Sequence, residues 1–221
     1  MQEINIPPKS ILLEPFGRNT APAITLASIK ALEKDDDPIL LILPADHAIG
    51  DEDGFINTIQ NGILIAEKDK IVTFGIPPKG PETGYGYIEC EKDMYEDSKE
   101  PIKIKKFLEK PSKDVAKELI RDKKYAWNSG IFMVKAKVAL KEIKKLSPRI
   151  FYPCVDALKN SKSDLDFIRL QKESFEKCDN ASFDIAIMEK TKLGFLLPMN
   201  VKWNDIGNWD AIWEISKKDD F

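Results

Sequence analysis

The stretch Pro38–Gly50, PILLILPADHAIG, decides how this chain is read: five apolar residues, Ile39 to Leu43, run unbroken into Pro44, Ala45 and Asp46. An Ile/Leu run this short, bounded by proline on both sides, predicts a strand buried on both faces, as in a parallel sheet with helices above and below. Ligands of open α/β sheets bind beyond the carboxyl ends of the strands. Asp46 therefore stands where a carboxylate would meet a ligand or a metal ion. A second acidic site, Trp203-Asn204-Asp205-Ile206-Gly207, comes near the other end of the chain.

The flanking sequence keeps a strand and helix rhythm. Upstream, Ser10–Glu14 (SILLE) predicts a short strand, and Arg18-Asn19-Thr20 precede a helix from about Ala21 to Lys34. Pro22 falls in its first turn, where a missing N–H costs nothing. A polar loop feeding a helix N-terminus offers free N–H groups to a base edge or a phosphate. On the residues alone, however, capping by Asn19 and Thr20 is preferred. Downstream, Gly54–Lys68 reads as an amphipathic helix and Lys70–Ile76 (KIVTFGI) as a strand, completing a βαβ pattern. Ile102–Glu109 alternates like a strand with one wet face and delivers Glu109 and Lys110 to its carboxyl end; Ser112 then caps a helix to about Lys123. Trp127-Asn128-Ser129-Gly130 opens an apolar strand over Ile131–Val134. Helical patterns follow over Val138–Leu146, Ile150–Asn160 and the 164–177 region, and Ser182–Glu189 looks like a capped helix start. Strands at Leu193–Leu197 and Val201–Asp205 lead to a last helix carrying Trp209 and Trp213. The fold class expected is α/β, with a Rossmann-like, mixed, mostly parallel sheet flanked by helices.

Composition excludes several classes. A hydrophobic content of 43% and a charged content of 32% over 221 residues are those of a soluble globular protein with a sizeable core. A net charge of −3 argues against a nucleic-acid surface, which needs a concentrated basic face. Cys90, Cys154 and Cys178 lack C-x-x-C spacing and suit a reduced cytosol, with neither a disulfide framework nor a zinc site. No apolar run approaches the roughly 20 residues of a membrane span, and residues 1–9 hold no signal-peptide core. A cytoplasmic protein without nucleic-acid or membrane partners is expected. Association into a homo-oligomer stays open.

Single motifs say little. Asp35-Asp36-Asp37 satisfies the D-x-D pattern of sugar-transferring enzymes, but it precedes the strand at 39–43 and so lies away from the ligand edge; a solvated loop is the better reading. The loop Pro77–Tyr87, PPKGPETGYGY, is not a dinucleotide fingerprint, since G-x-G-x-x-G is absent. Gly84 and Gly86 on either side of Tyr85 permit close backbone approach, whether for a tight turn or for a bound sugar.

The order of the motifs is more telling. GRNTAPA at 17–23, LPADH at 43–47, ETGYGYIE at 82–89, FLEKP at 107–111, WNSGIF at 127–132, SFDIAIMEK at 182–190 and WNDIG at 203–207 together resemble the nucleotidyltransferase domain of bacterial mannose-1-phosphate guanylyltransferases, from about Ser10 to Trp213. The resemblance implies the nucleotide-diphospho-sugar transferase fold in a single domain, 1–221. It also implies GTP and mannose 1-phosphate as substrates, GDP-mannose and pyrophosphate as products, and Mg²⁺ as cofactor. Asp46 and Asp205 match the family's metal-holding positions, and a hard Mg²⁺ takes one or two carboxylates plus phosphate oxygens and water. With Lys110, which would neutralise the sugar phosphate, they form the expected catalytic set. Glu109, Asn128 and Gly84 would hold mannose hydroxyls, while Asn19, Thr20 and Ala21 would face the guanine. Asp184, on the sugar side, and Lys202 are marginal. His47, the only histidine, is read as orienting or structural, because a phosphate nucleophile is already ionised and needs no base.

The superfamily's Gly-rich loop, G-G-x-G-T-R-L-x-P-L, which cradles the triphosphate, has no counterpart in these 221 residues. These 221 residues include neither a β-helical extension nor a phosphomannose isomerase domain, and Lys202 stands where a small residue is expected before Trp203. The expectation is therefore a fragment of a longer, bifunctional enzyme fused to mannose-6-phosphate isomerase, or an N-terminally lost homologue, inactive alone. The alternatives are a pyrophosphorylase for another base or hexose, a non-catalytic nucleotide-sugar-binding remnant, and an α/β domain in which each motif is only a cap, turn or core residue.

Overall fold

The stretch Ile71–Ile76, IVTFGI, is buried at every position, because it has a strand on each side and a helix against it. The computed structural model describes residues 6–94, 100–207, 209, 212, 213 and 216. In chain order the elements are β1 (Ile11–Leu13), α1 (Thr20–Leu32), β2 (Ile39–Ile42), β3 (Ala48–Ile49), α2 (Glu52–Ala66), β4 (Ile71–Ile76), β5 (Tyr87–Cys90), β6 (Ile102–Leu108) and α3 (Lys113–Leu119). There follow β7 (Tyr125–Lys135), α4 (Ala136–Leu146), α5 (Pro148–Lys159), β8 (Lys162–Asp164), β9 (Phe167–Arg169), α6 (Lys172–Phe175), a π-helical turn at Asp184–Met188, β10 (Gly194–Pro198) and β11 (Trp203–Asn204). They fall into two compact units, residues 1–38 with 136–191 and residues 39–135 with 192–221.

The second unit holds a six-stranded sheet in the order β2-β7-β4-β10-β6-β5, in which β5 also pairs with β7. The fold is mixed α/β, but the sheet is not mostly parallel. Only β4 and β10 pair in parallel; β7 runs antiparallel to both β2 and β4, and β6 runs antiparallel to β10 and β5. Strands β2 and β4 do share a direction, since both oppose β7, so the expected strand-helix-strand rhythm is present with β7 threaded between its two strands. Hydrophobic period encodes which face is buried and carries no information about the direction of a neighbour.

The decisive apolar stretch is also placed differently. Strand β2 lies at the edge of this sheet and is half-buried, with Leu41 and Leu43 exposed. Helix α2 packs on β4, β7 and β10 instead. The core includes Ile65 and Ala66 from α2, Val72, Phe74 and Ile76 from β4, Tyr87 from β5, Trp127, Ile131 and Met133 from β7, and Leu197 from β10. Burial pushes the Cys90 thiol up to about 12, so it is a neutral core residue.

The first unit packs α1, α4 and α5 against one another, and α6 against α5. Ala21, Ile24, Ile143, Ile150, Cys154, Phe175 and Phe183 form its buried apolar residues. The helix expected across 164–177 is not formed as such. Residues 162–169 make the β8–β9 hairpin, with Leu165 at φ +53° in the turn, and β9 pairs in parallel with β1. Only Lys172–Phe175 is helical. The Sγ atoms of Cys154 and Cys178 lie 3.8 Å apart as buried free thiols, a juxtaposition their sequence spacing concealed. Most of the last expected helix lies outside the described residues; Trp209 and Trp213 are exposed. No helix among the described residues is long and apolar enough to cross a membrane.

Gly75 sits in close packing within the central sheet, beside a register shift between β4 and β7. A Cβ there would lie 2.5 Å from Leu196 Cδ1 and 2.9 Å from the Ala126 Cβ. Gly75→Ala is expected to destabilise the protein by about 1–3 kcal/mol, the usual cost of overpacking, read as a lower urea midpoint by circular dichroism.

Candidate active site

The second unit brings the two aspartate motifs together through a two-stranded ribbon. Asp46 sits in the turn between β2 and β3, and β11 pairs antiparallel with β3, Trp203 opposite Ile49 and Asn204 opposite Ala48. One step further along that register sets Asp205 across from His47. Backbone hydrogen bonding continues at the other end, where Gly50 N donates to Lys202 O at 2.8 Å.

His47 joins the two strands chemically. Trp203 Nε1 donates to His47 Nδ1 at 3.2 Å, and the two rings stand nearly perpendicular at 87° with centroids 5.2 Å apart. An accepting Nδ1 places the proton of a neutral imidazole on Nε2. Burial lowers the pKa of His47, and the negative charges of Asp46 and Asp205 each oppose that shift. Both carboxylates therefore act on one imidazole.

Asp205 is held by its surroundings. Its Oδ1 accepts from Tyr85 Oη at 3.2 Å and from Gly207 N at 3.3 Å. The next residue, Ile206, has φ +46°, a left-handed conformation that costs a β-branched residue on the order of 1–3 kcal/mol. Asn204 Oδ1 offsets part of this by accepting from Ile206 N at 2.8 Å.

Tyr85 also packs edge-on against Trp127 and Trp203, with centroids at 5.2 and 5.3 Å. Beside it, Asn128 N donates to Gly86 O at 2.8 Å, and Asn128 Oδ1 accepts from Thr73 Oγ1 at 3.3 Å and Gly130 N at 3.2 Å. A Cβ on Gly86 would lie 3.0 Å from Glu109 Oε2, so the glycine admits the carboxylate. Lys110, at φ +42°, holds its Nζ 4.0 Å from Glu109 Oε1, and both side chains are solvent-accessible. Gly84 is exposed, has no left-handed φ, and a Cβ on it would meet nothing within 4 Å. Nothing within the described residues demands a glycine there.

The remaining candidates lie in the first unit. Asn19, at φ +68°, caps α1 with Oδ1 accepting from Thr20 N at 2.9 Å. Thr20 Oγ1 accepts from Phe183 N at 2.9 Å. Ala21 is fully buried and donates its N–H to Ala181 O at 3.2 Å. Asn19 thus caps α1, as the residues alone suggested, whereas Thr20 and Ala21 are tied to the 181–183 segment instead. Asp184 opens the π-helical turn and is half-buried, while Ser182 Oγ accepts from Ile185 N at 3.3 Å.

The donor chemistry at the ribbon fits a hard divalent cation: two carboxylates, one exposed and one half-buried, beside a neutral imidazole whose Nδ1 is already engaged. Among the described residues no three His, Cys, Asp or Glu side chains form a cage of their own, so the remaining ligands would be water or substrate oxygens, as Mg²⁺ prefers. Sequence reading overlooked Tyr85, whose hydroxyl reaches Asp205 across 120 residues of chain. Its position between two glycines in an aromatic-rich loop was the available signal.

The chain belongs to the nucleotidyl transferase family, whose profile matches residues 3–220. Within that class the chain is 45% identical over 221 residues to a mannose-1-phosphate guanylyltransferase of Salmonella muenchen, covering 99% of this chain and 46% of that relative. The chain thus spans about half the length of the curated relatives it matches. Among solved structures, it superposes on a Thermus thermophilus protein described as a mannose-1-phosphate geranyltransferase with a TM-score of 0.79 at 30% identity, covering 94% of this chain and 58% of the other. A Helicobacter pylori protein described as a mannose-6-phosphate isomerase gives 0.77 at 34% identity, covering 87% and 74%.

Because the chain has one histidine, its ring state can be read directly. Nitrogen NMR of the imidazole at neutral pH is expected to show the Nε2–H tautomer with an unprotonated, hydrogen-bonded Nδ1, and Trp203→Phe should return the ring to a mixture of tautomers.

Proposed function

We propose that this chain is the transferase domain of a mannose-1-phosphate guanylyltransferase, joining GTP and mannose 1-phosphate into GDP-mannose and pyrophosphate in the cytoplasm. A phosphate oxygen of the sugar attacks the α-phosphorus of GTP in line; that P–O bond forms as the bond to the β-phosphate breaks, and pyrophosphate leaves. No proton need be removed from the nucleophile, in keeping with a His47 that burial holds neutral. Positioning and charge neutralisation are the protein's contribution.

In this reading Asp46 and Asp205 supply two carboxylate ligands to Mg²⁺, which when bound neutralises charge on the phosphates. Lys110 meets the sugar phosphate, and Glu109, Asn128 and the Gly84 backbone meet the mannose. The single observation that carries the reading is the pairing of β11 with β3, which makes neighbours of two acidic motifs from opposite ends of the chain. Similarity over 99% of this chain to a protein named as a mannose-1-phosphate guanylyltransferase, though over only 46% of that relative, supports the choice of substrates. The Helicobacter pylori relative, named for isomerase activity yet three-quarters covered by this chain, supports a bifunctional polypeptide as the context.

Calorimetric titration with GDP-mannose tests this. Binding is expected to strengthen with Mg²⁺, and Asp205→Ala should abolish the enhancement. Metal-independent binding that Asp205→Ala leaves untouched would mark a non-catalytic nucleotide-sugar-binding remnant instead. The 221 residues alone should form little GDP-mannose, because the Gly-rich loop is not among them. In any longer protein carrying them, mannose 1-phosphate with GTP should outpace glucose 1-phosphate with ATP or UTP.

Gly84 gives a finer check. A methyl group there enters open space, so Gly84→Ala should leave the melting temperature unchanged. If the backbone meets a sugar, the same change should weaken GDP-mannose binding about tenfold, roughly 1.4 kcal/mol.

A further inference from the structure

We infer that Tyr85 is a positioning residue that aims the Asp205 carboxylate at the cation, an inference that rests on the proposed metal role of Asp205. Strand β11 ends at Asn204, one residue short of Asp205, and Ile206 beyond it is left-handed. Regular backbone pairing therefore does not fix the direction of the carboxylate. Something outside the ribbon must.

Tyr85 is built for that task. Its ring is wedged between Trp127 and Trp203, at interplanar angles of 66° and 63°, and Trp203 is itself tied to His47 by its indole hydrogen bond. A ring held on two edges makes its hydroxyl a fixed point. That hydroxyl and Gly207 N both engage Oδ1 of Asp205. Oδ2, which has no hydrogen-bond partner among the described residues, is the oxygen left for a cation. A phenylalanine would fill the wedge equally well, so packing alone gives no reason for the hydroxyl. Hydrogen bonds that orient a metal-binding carboxylate are worth about 10- to 100-fold in metal affinity.

The test compares the wild-type chain, Tyr85→Phe, Asp205→Asn and the double variant by electron paramagnetic resonance titration of Mn²⁺ in the presence of GDP-mannose. Each protein is also melted and titrated with GDP-mannose without metal. Tyr85→Phe is expected to weaken Mn²⁺ binding about tenfold, with metal-free GDP-mannose affinity and melting temperature unchanged. In the double variant it should add no loss beyond that of Asp205→Asn. Wild-type Mn²⁺ affinity in Tyr85→Phe, with binding lost in Asp205→Asn, would overturn the role of Tyr85 and leave the metal site standing. Wild-type affinity in both variants, or no Mn²⁺ binding by the wild type, would overturn the metal site and this inference together. A lower melting temperature with weaker metal-free binding in Tyr85→Phe would show the hydroxyl to be structural and overturn its positioning role.

Discussion

The pairing of β3 with β11 is the constraint on which the candidate site depends. A two-stranded ribbon is marginal by itself in water, and this one has only two paired positions on each strand. It forms because the larger sheet delivers its ends. Strand β10 runs beside β4, Met199 N donates to Gly75 O at 2.9 Å, and Val201 is buried, so the chain reaches Trp203 already docked. The loop-closure entropy of joining residues 48 and 204 is thus met by the folding of the whole unit. The site inherits its geometry from the sheet and contributes little stability of its own.

That inheritance explains which parts were legible. Strands with strong apolar character, Ile71–Ile76 and Gly194–Pro198, could be located from hydrophobicity alone, and so could helices α1 and α2 to within a few residues. Asn128-Ser129-Gly130 reads as a loop opening a strand because it is polar and contains glycine. In the sheet these residues lie inside β7, and their polarity is consumed locally: Ser129 Oγ donates to Phe74 O at 2.6 Å, and Asn128 Oδ1 accepts from Gly130 N at 3.2 Å. Gly130 at φ +69° supplies the irregularity that the register shift requires. Buried polar side chains that satisfy the backbone of an adjacent strand cannot be told from loop residues until the neighbouring strand is known.

The candidate residues were legible for a different reason. Asp46, Glu109 and Lys110 were picked out by their places at the ends of predicted strands, but their roles, like that of Asp205, came only from motif order, since no local pattern distinguishes a charged surface residue from a ligand. What the sequence withheld was their mutual support. Tyr85 and Asp205, like His47 and Trp203, are brought together only by tertiary structure. Asn19 and Thr20 show the opposite case, where the residues alone favoured capping over base recognition. Asn19 Oδ1 caps α1 through Thr20 N, while the Thr20 hydroxyl is committed to Phe183 N, so only the first of the two residues does the expected capping.

Left-handed backbone at non-glycine residues separates structural from site-related strain. Asp69 and Leu165, at φ +58° and +53°, are explained by turns; Asp69 ends the approach to β4 and pairs with Lys135 at 2.9 Å, and Leu165 turns the β8–β9 hairpin. Asp is tolerant of this region and hairpin turns require it. Ile206 has neither excuse, being β-branched and outside any hairpin turn, yet it lies between the acceptor Asn204 and the glycine whose N–H binds Asp205. Strain at such a residue persists only where its surroundings over-determine it. Here the surroundings are the hydrogen bonds that fix Asp205, so the cost at Ile206 and the orientation of the carboxylate are two consequences of one local geometry.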